Sequence, residues 1–244
     1  MKIILIILAI LIIVGIYKLI PSVFAAKGNA AYADGDVKKA IEFYEKAIKF
    51  SGGKPQHKPA YALMLMRTGN FEKAERLLNE VILYGGVKQN EKMNAKLFRC
   101  RVYQKTGRLD EALEDAEEIF ESYKNTTVYG MICYLKQLKG GAELELCLEA
   151  YDYNSDDRDI CDNLAVAYIR SGELAKAEEI TAELREKFPN FVEGFYHSAV
   201  VAKLRGDKTA ALEYLDSIEE CRRTMMTTVS KEEINALRDE IENA

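Results

Sequence analysis

Five cysteines, two histidines and one run of carboxylates are the residues best suited to chemistry in this chain, and their spacing argues against each chemistry in turn. Cys100, Cys133, Cys147, Cys161 and Cys221 contain no C-x-x-C pair, and His57 and His197 stand far from the ligand spacings that zinc requires. The odd count and wide spacing also make a poor disulfide framework, so free thiols and a reducing compartment are expected. The stretch YNSDDRDICD, Tyr153 to Asp162, lacks the loop spacing of a calcium site. It reads instead as a loop entering a helix, where carboxylates sit well against the positive end of the helix dipole. No Ser/His/Asp or Cys/His arrangement and no phosphate-cradling glycine loop is suggested. Arg205-Gly206-Asp207 spells an adhesion tripeptide, but it occupies a turn that recurs five more times along the chain. No catalytic residue, metal or cofactor is therefore expected, and the chain is expected not to be an enzyme.

What remains is architecture. With 30% charged residues, only four prolines and no low-complexity tract, the composition is that of an ordered chain. The charge is unevenly distributed: Lys27 to Arg108 holds 17 Lys and Arg against 8 Asp and Glu, whereas Leu109 to Ala244 holds 15 against 31. A basic half beside an apolar leader suits anionic headgroups or the charge bias of membrane topology, but the cations are scattered and read first as solvated helix faces. No basic-aromatic motif points to nucleic acid.

The leader, Ile3 to Ile20, reads IILIILAILIIVGIYKLI with a single charge at Lys18. As a helix it spans roughly 27 Å at 1.5 Å per residue, close to the hydrocarbon thickness, with Lys18 able to snorkel beside Tyr17. A signal peptide is the rival, with Met1-Lys2 as its charged start and Val23-Phe24-Ala25 as its cleavage site.

Six turns come after the leader: ADGDV, RTGNF, KTGRL, LKGGA, RSGEL and LRGDK. Their glycines, Gly35, Gly69, Gly107, Gly140, Gly172 and Gly206, are 34, 38, 33, 32 and 34 residues apart, a period that signals a helical repeat array. Seven residues before each stands a small side chain: Gly28, Ala62, Cys100, Cys133, Ala165 and Ala199. Five residues after stands Ala40, Ala74, Ala112, Ala177 or Ala211, with Glu145 the exception in the fourth repeat. Small residues at both places let two antiparallel helices approach closely across a short turn.

This framework, clearest in KGNAAYADGDVKKAIEFYEKAI and NLAVAYIRSGELAKAEEI, resembles the tetratricopeptide repeat. The resemblance implies an all-α, right-handed superhelical solenoid of about six helix hairpins. The expected layout is a transmembrane helix at 1–20, an array at 22–225 (repeats 22–54, 55–92, 93–125, 126–157, 158–191 and 192–225) and a capping helix at 230–243 opened by the box Ser230-Lys-Glu-Glu233. Two departures are expected: an insertion near Tyr84 to Lys92, and two residues missing after Gly140, which moves Ala150 into a close-packing position. In the family the first helix of each pair lines a concave groove. Carried onto this chain, that places Tyr32, Leu63, Met66, Arg101, Gln104, Tyr134, Gln137, Asp162, Val166, Ile169 and Tyr196 in the groove, a set suited to an extended peptide or a helix of another protein. The basic residue of the family's carboxylate clamp is lacking, since Ala25 precedes Asn29.

The first repeat must begin near Ser22, so cleavage after Ala25 would remove its first turn, and an uncleaved anchor broken from the repeat at Pro21 is favoured. The expected function is a single-pass, membrane-anchored scaffold or adaptor with its repeats in the cytoplasm, binding a protein or peptide partner without catalysis. The alternatives are an exported repeat protein released near Ala25 and a regulatory domain of a membrane complex whose enzyme is a separate chain.

Overall fold

The computed structural model describes residues 2–141, 143–224 and 227–243. Among them are thirteen α-helices, two 3-10 turns and no strand. The helices are α1 (Lys2–Ala33), α2 (Val37–Phe50), α3 (Lys58–Arg67), α4 (Phe71–Leu83), α5 (Gln89–Lys105), α6 (Leu109–Ser122) and α7 (Thr126–Leu138). They continue with α8 (Leu144–Tyr153), α9 (Arg158–Ser171), α10 (Leu174–Lys187), α11 (Val192–Leu204), α12 (Lys208–Ser217) and α13 (Lys231–Glu242). The chain divides into two units, Met1–Arg108 and Leu109–Ala244. In the first, α1 pairs with α2 and α3 with α4, and α5 packs on α4; in the second, α6 packs on α7, and the hairpins α7/α8, α9/α10 and α11/α12 succeed it.

Each hairpin turn is built the same way. All six turn glycines have φ between 76 and 97°, the left-handed region that a β-carbon disfavours. The amide just past the glycine then returns to the carbonyl five residues earlier, as Asp36 does to Ala31 at 2.9 Å and Asp207 to Ala202 at 2.9 Å. The same residue starts the next helix: Asp36 accepts from the Lys39 amide, and Asp207 from the Ala210 amide, at 3.0 Å each. At these two turns and at Asn70, whose side chain accepts from the Lys73 amide, stop and start share one side chain, and every turn but the fourth leaves only two or three residues between its helices. Across these turns Ala62, Cys133, Ala165 and Ala199 are fully buried, as are Ala40, Ala74, Ala177 and Ala211.

The fourth hairpin departs from the others: its second helix starts four residues after the turn glycine instead of two. Glu143 takes a φ of 48°, α8 begins only at Leu144, and Cys147 and Ala150 are 0 and 1% exposed. The break expected at Pro21 is absent: α1 runs through it without interruption. Proline in a helix interior loses a hydrogen bond, but Pro21 and Ala25 are buried in the first repeat, so packing against α2 holds the helical path. At the other end, both bonds of the capping box form, Ser230 N–H to Glu233 Oε2 at 2.6 Å and Glu233 N–H to Ser230 Oγ at 3.0 Å. Ile234, Leu237 and Ile241 of α13 cover Ala202, Leu215 and Ile218 of the last hairpin.

Candidate functional site

In the second unit the leading helices α7, α9 and α11 lie side by side, as their one-repeat spacing requires. Side chains from all three line a cleft of about 170 Å³: Tyr134 and Gln137 from α7, Asp162, Val166 and Arg170 from α9, and Tyr196 and His197 from α11. Thr228, Val229 and Glu233 border it from the segment that leads into α13.

The polar side chains in this cleft are ordered by one another. His197 Nδ1 lies 2.6 Å from Asp162 Oδ1, joining α11 to α9. Burial alone would push the His197 pKa down, but the facing Asp162 carboxylate, with Glu193 adding to it and Arg170 opposing, holds it above the usual imidazole value. Arg170 reaches back to α7, donating from Nη1 to the carbonyls of Gln137 and Gly141 at 2.6 Å each. Glu193 is 3% exposed and accepts at Oε1 from the Thr228 amide at 2.5 Å and the Thr228 hydroxyl at 2.9 Å, which ties the C-terminal segment to α11. The cleft thus presents two tyrosines, a hydrogen-bonded Asp–His pair and an arginine on a scaffold whose backbone is fixed by internal bonds.

Of the residues expected in the groove, Tyr134, Gln137, Asp162, Val166 and Tyr196 line this cleft, while Ile169, half-buried on α9, does not. Gln137 has little left to offer a ligand. It is 3% exposed, and its Nε2 donates to the Asn163 carbonyl at 2.7 Å. In the first unit Tyr32, Leu63, Arg101 and Gln104 are half-buried, and the Arg67 guanidinium lies 5.4 Å from the centre of the Tyr32 ring. Met66 is corrected: at 1% exposure its side chain is core, because the short α3 turns its last apolar residues into the hairpin.

His197, Arg170 and the Thr228–Val229 segment went unread. His197 and Asp162 are 35 residues apart, one repeat plus one position, so the pairing was available from the period alone. The C-terminal segment carries no repeat pattern and left no such signal.

No cysteine lines this cleft. All five are free and buried; burial pushes the Cys161 thiol up to about 11, and the neighbouring Cys147 together with burial raises that of Cys133 further. Among the described residues no three of His, Cys, Asp and Glu gather as metal ligands would.

Against known proteins, the tetratricopeptide repeat is the family pattern that matches, at residues 21–52, 93–118 and 163–190. No curated protein matches the chain in sequence. The fold is similar to that of a tetratricopeptide repeat protein from Parabacteroides merdae, with a TM-score of 0.72 at 16% identity over 92% of this chain and 85% of that one. It is also similar to pilF of Pseudomonas aeruginosa, with a TM-score of 0.69 at 11% identity over 93% and 98% of the two chains. YrrB, described as having an unusual peptide-binding site, gives a TM-score of 0.53 at 17% identity over 82% of this chain and 97% of its own. At these identities the likeness is one of fold.

Proposed function

This chain is a tetratricopeptide-repeat protein, and on that premise we propose that it is a non-catalytic scaffold, anchored in a membrane by residues 3–20, that holds an extended peptide of a partner protein. The observation that carries the binding half is the cleft to which three successive leading helices each contribute side chains, Tyr134, Val166 and Tyr196 among them. Aromatic rings with restricted rotamers supply contact area at low entropic cost, and the Asp162–His197 pair and Arg170 offer polar groups for a peptide backbone. A peptide ligand is in keeping with the binding site described for YrrB, which has the same kind of fold.

For the anchor, the supporting observations are the exposed apolar side chains from Ile4 to Leu19 and the helix that continues past them into packed structure. Phe24 stacks on Phe43 and Phe50, with centroids 6.2 and 5.5 Å apart, so cleavage after Ala25 would strip an aromatic contact from the first repeat. The repeats are assigned to the cytoplasm because Lys18 stands at the far end of the apolar stretch and Lys27, Lys38 and Lys39 come after it, while only Lys2 precedes it.

A photo-crosslinker at Val166 of the full-length membrane protein tests the binding half, with Glu186 on the exposed face of α10 as control. Crosslinks to one polypeptide from position 166 alone support the reading, and equal recovery from both positions refutes it. Amino-terminal sequencing of the mature protein tests the anchor: an intact leader supports it, and a start at Ala26 refutes it. Labelling of one engineered cysteine at Lys88 by a membrane-impermeant reagent in unbroken cells refutes the assigned side.

A further inference from the structure

At Tyr17 the apolar helix meets the first repeat. The Tyr17 ring lies 6.4 Å, between centroids, from Phe50, the last residue of α2. Because α2 runs antiparallel to α1, its end and the loop after it, residues 51–57, lie level with Tyr17. With α1 as the membrane anchor, the part of it before that contact, residues 2–16, spans only about 22 Å at 1.5 Å per residue, short of the roughly 30 Å of a hydrocarbon core. A short span is accommodated by drawing its flank into the interface, and here the flank is the edge of a folded repeat.

The next hairpin ends on the same edge. Tyr84 and Val87, in the loop after α4, line one cleft of about 610 Å³ together with Lys54, Pro55 and Val81, so the two loops are neighbours. At the end of α4, Leu83 is 81% exposed and Tyr84 42%, with Lys88 close behind in sequence. Leu83 is more exposed than any other large apolar side chain among the described residues, including those of the apolar helix itself. The charges on the two loops are of one sign, since no Asp or Glu occurs from Lys46 to Phe71 or from Val81 to Asn90; Glu91, at the start of α5, is the one carboxylate lining the cleft between them. Aromatic, aliphatic and lysine side chains, in excess over a single carboxylate, are the set that suits a boundary between acyl chains and anionic headgroups.

We propose that this edge, the end of α2 with loop 51–57 and the end of α4 with loop 84–88, seats on anionic phospholipid headgroups of the membrane that α1 enters, a seat that depends on α1 being the anchor. Phe50 and Leu83 dip to the acyl boundary, and Lys49, Lys54 and Lys88 meet the phosphates. The first two repeats then lie against the bilayer.

The chain has no tryptophan, so single introduced ones report directly. Val14→Trp marks the span, Leu83→Trp the seated edge, and Phe71→Trp the opposite end of α4, about 20 Å away by helical rise. Each full-length variant goes into vesicles of brominated phosphatidylcholine, with and without phosphatidylglycerol. Severalfold stronger quenching at 83 than at 71, increased by phosphatidylglycerol and reduced by Lys49→Glu, Lys54→Glu and Lys88→Glu with no change at 14, is the expected result. Quenching at 14 with residue 83 no more quenched than 71 overturns the seat and leaves the anchor standing. No quenching at 14 overturns the anchor reading, and the seat with it. Equal quenching at 83 in neutral and anionic vesicles overturns the headgroup assignment.

Discussion

His197 on α11 and Asp162 on α9 form a largely buried contact of 2.6 Å between adjacent repeats, and the carboxylate holds the imidazole pKa above its usual value. Because the folded-state pKa of His197 lies above its usual value near 6.5, the protonated imidazole stabilises the fold. That contribution is complete below the unfolded pKa and is lost as the pH rises through the folded one. Wild type should therefore lose stability relative to His197→Gln as the pH rises above about 6.5. Urea midpoints of both proteins across that range measure it; a constant difference would mean that His197 does not titrate as described.

Gly28 and Tyr44 set a second limit. A β-carbon at Gly28 would lie 2.8 Å from Tyr44 Cδ2, and Tyr44 is itself 2% exposed and stacked on Tyr61 with ring centroids 5.4 Å apart. Gly28→Ala should cost about 1–3 kcal/mol, the usual range for overpacking, despite alanine's better helix propensity. Denaturant unfolding decides this, and a more stable variant would mean that Tyr44 moves aside freely.

Tyr134→Ala should weaken capture of the partner by about 1–3 kcal/mol if its ring is one of the few side chains that carry the binding energy. Affinity and melting temperature need to be followed together. Unchanged affinity removes Tyr134 from the site, and loss of affinity only alongside a large fall in melting temperature assigns it to packing.

Glu193→Ala leaves the Thr228 amide and hydroxyl without their acceptor and should free the segment before α13. The expected outcome is faster proteolysis between Arg222 and Ser230 with helicity little changed, and a loss of stability of about 1–3 kcal/mol. Limited proteolysis with mass mapping reads this, and unaltered cleavage there would show that Val229 and α13 hold the segment on their own.

The five thiols should be silent in the folded protein. Buried, and with pKa values raised in Cys133, Cys161 and Cys221, they should react with maleimide near pH 7 far more slowly than a free cysteine, and all five should react after unfolding. Rapid labelling of any native cysteine would place it at a surface.

The hairpins were legible because one local device repeats: a left-handed glycine, an amide returning five residues, and small side chains on either side. Each part is written in residue type, so the spacing of Gly35, Gly69 and their successors carried it. Pro21 was misread because the rule against helical proline is local, while the contacts that override it come from α2. The groove was half legible. Position within a repeat placed Tyr134 and Val166, but whether a polar group faces outward or is taken up inside depends on its neighbours, and Gln137 bonds Asn163 of the next repeat. His197 escaped because a lone histidine says nothing until the period supplies Asp162.

The helix that passes Pro21 unbroken has a mechanical meaning. A scaffold on a flexible linker sweeps a volume, and the effective concentration of whatever it carries falls as that volume grows. Here the apolar rod and the first repeat share one helix from Lys2 to Ala33, so that repeat has a fixed height and heading relative to the rod and no swivel at their junction. Inserting a short glycine-serine segment after Ile20 would turn this mount into a tether. Any process that needs the first repeat held at a set angle would fail in that variant even though every repeat still folds.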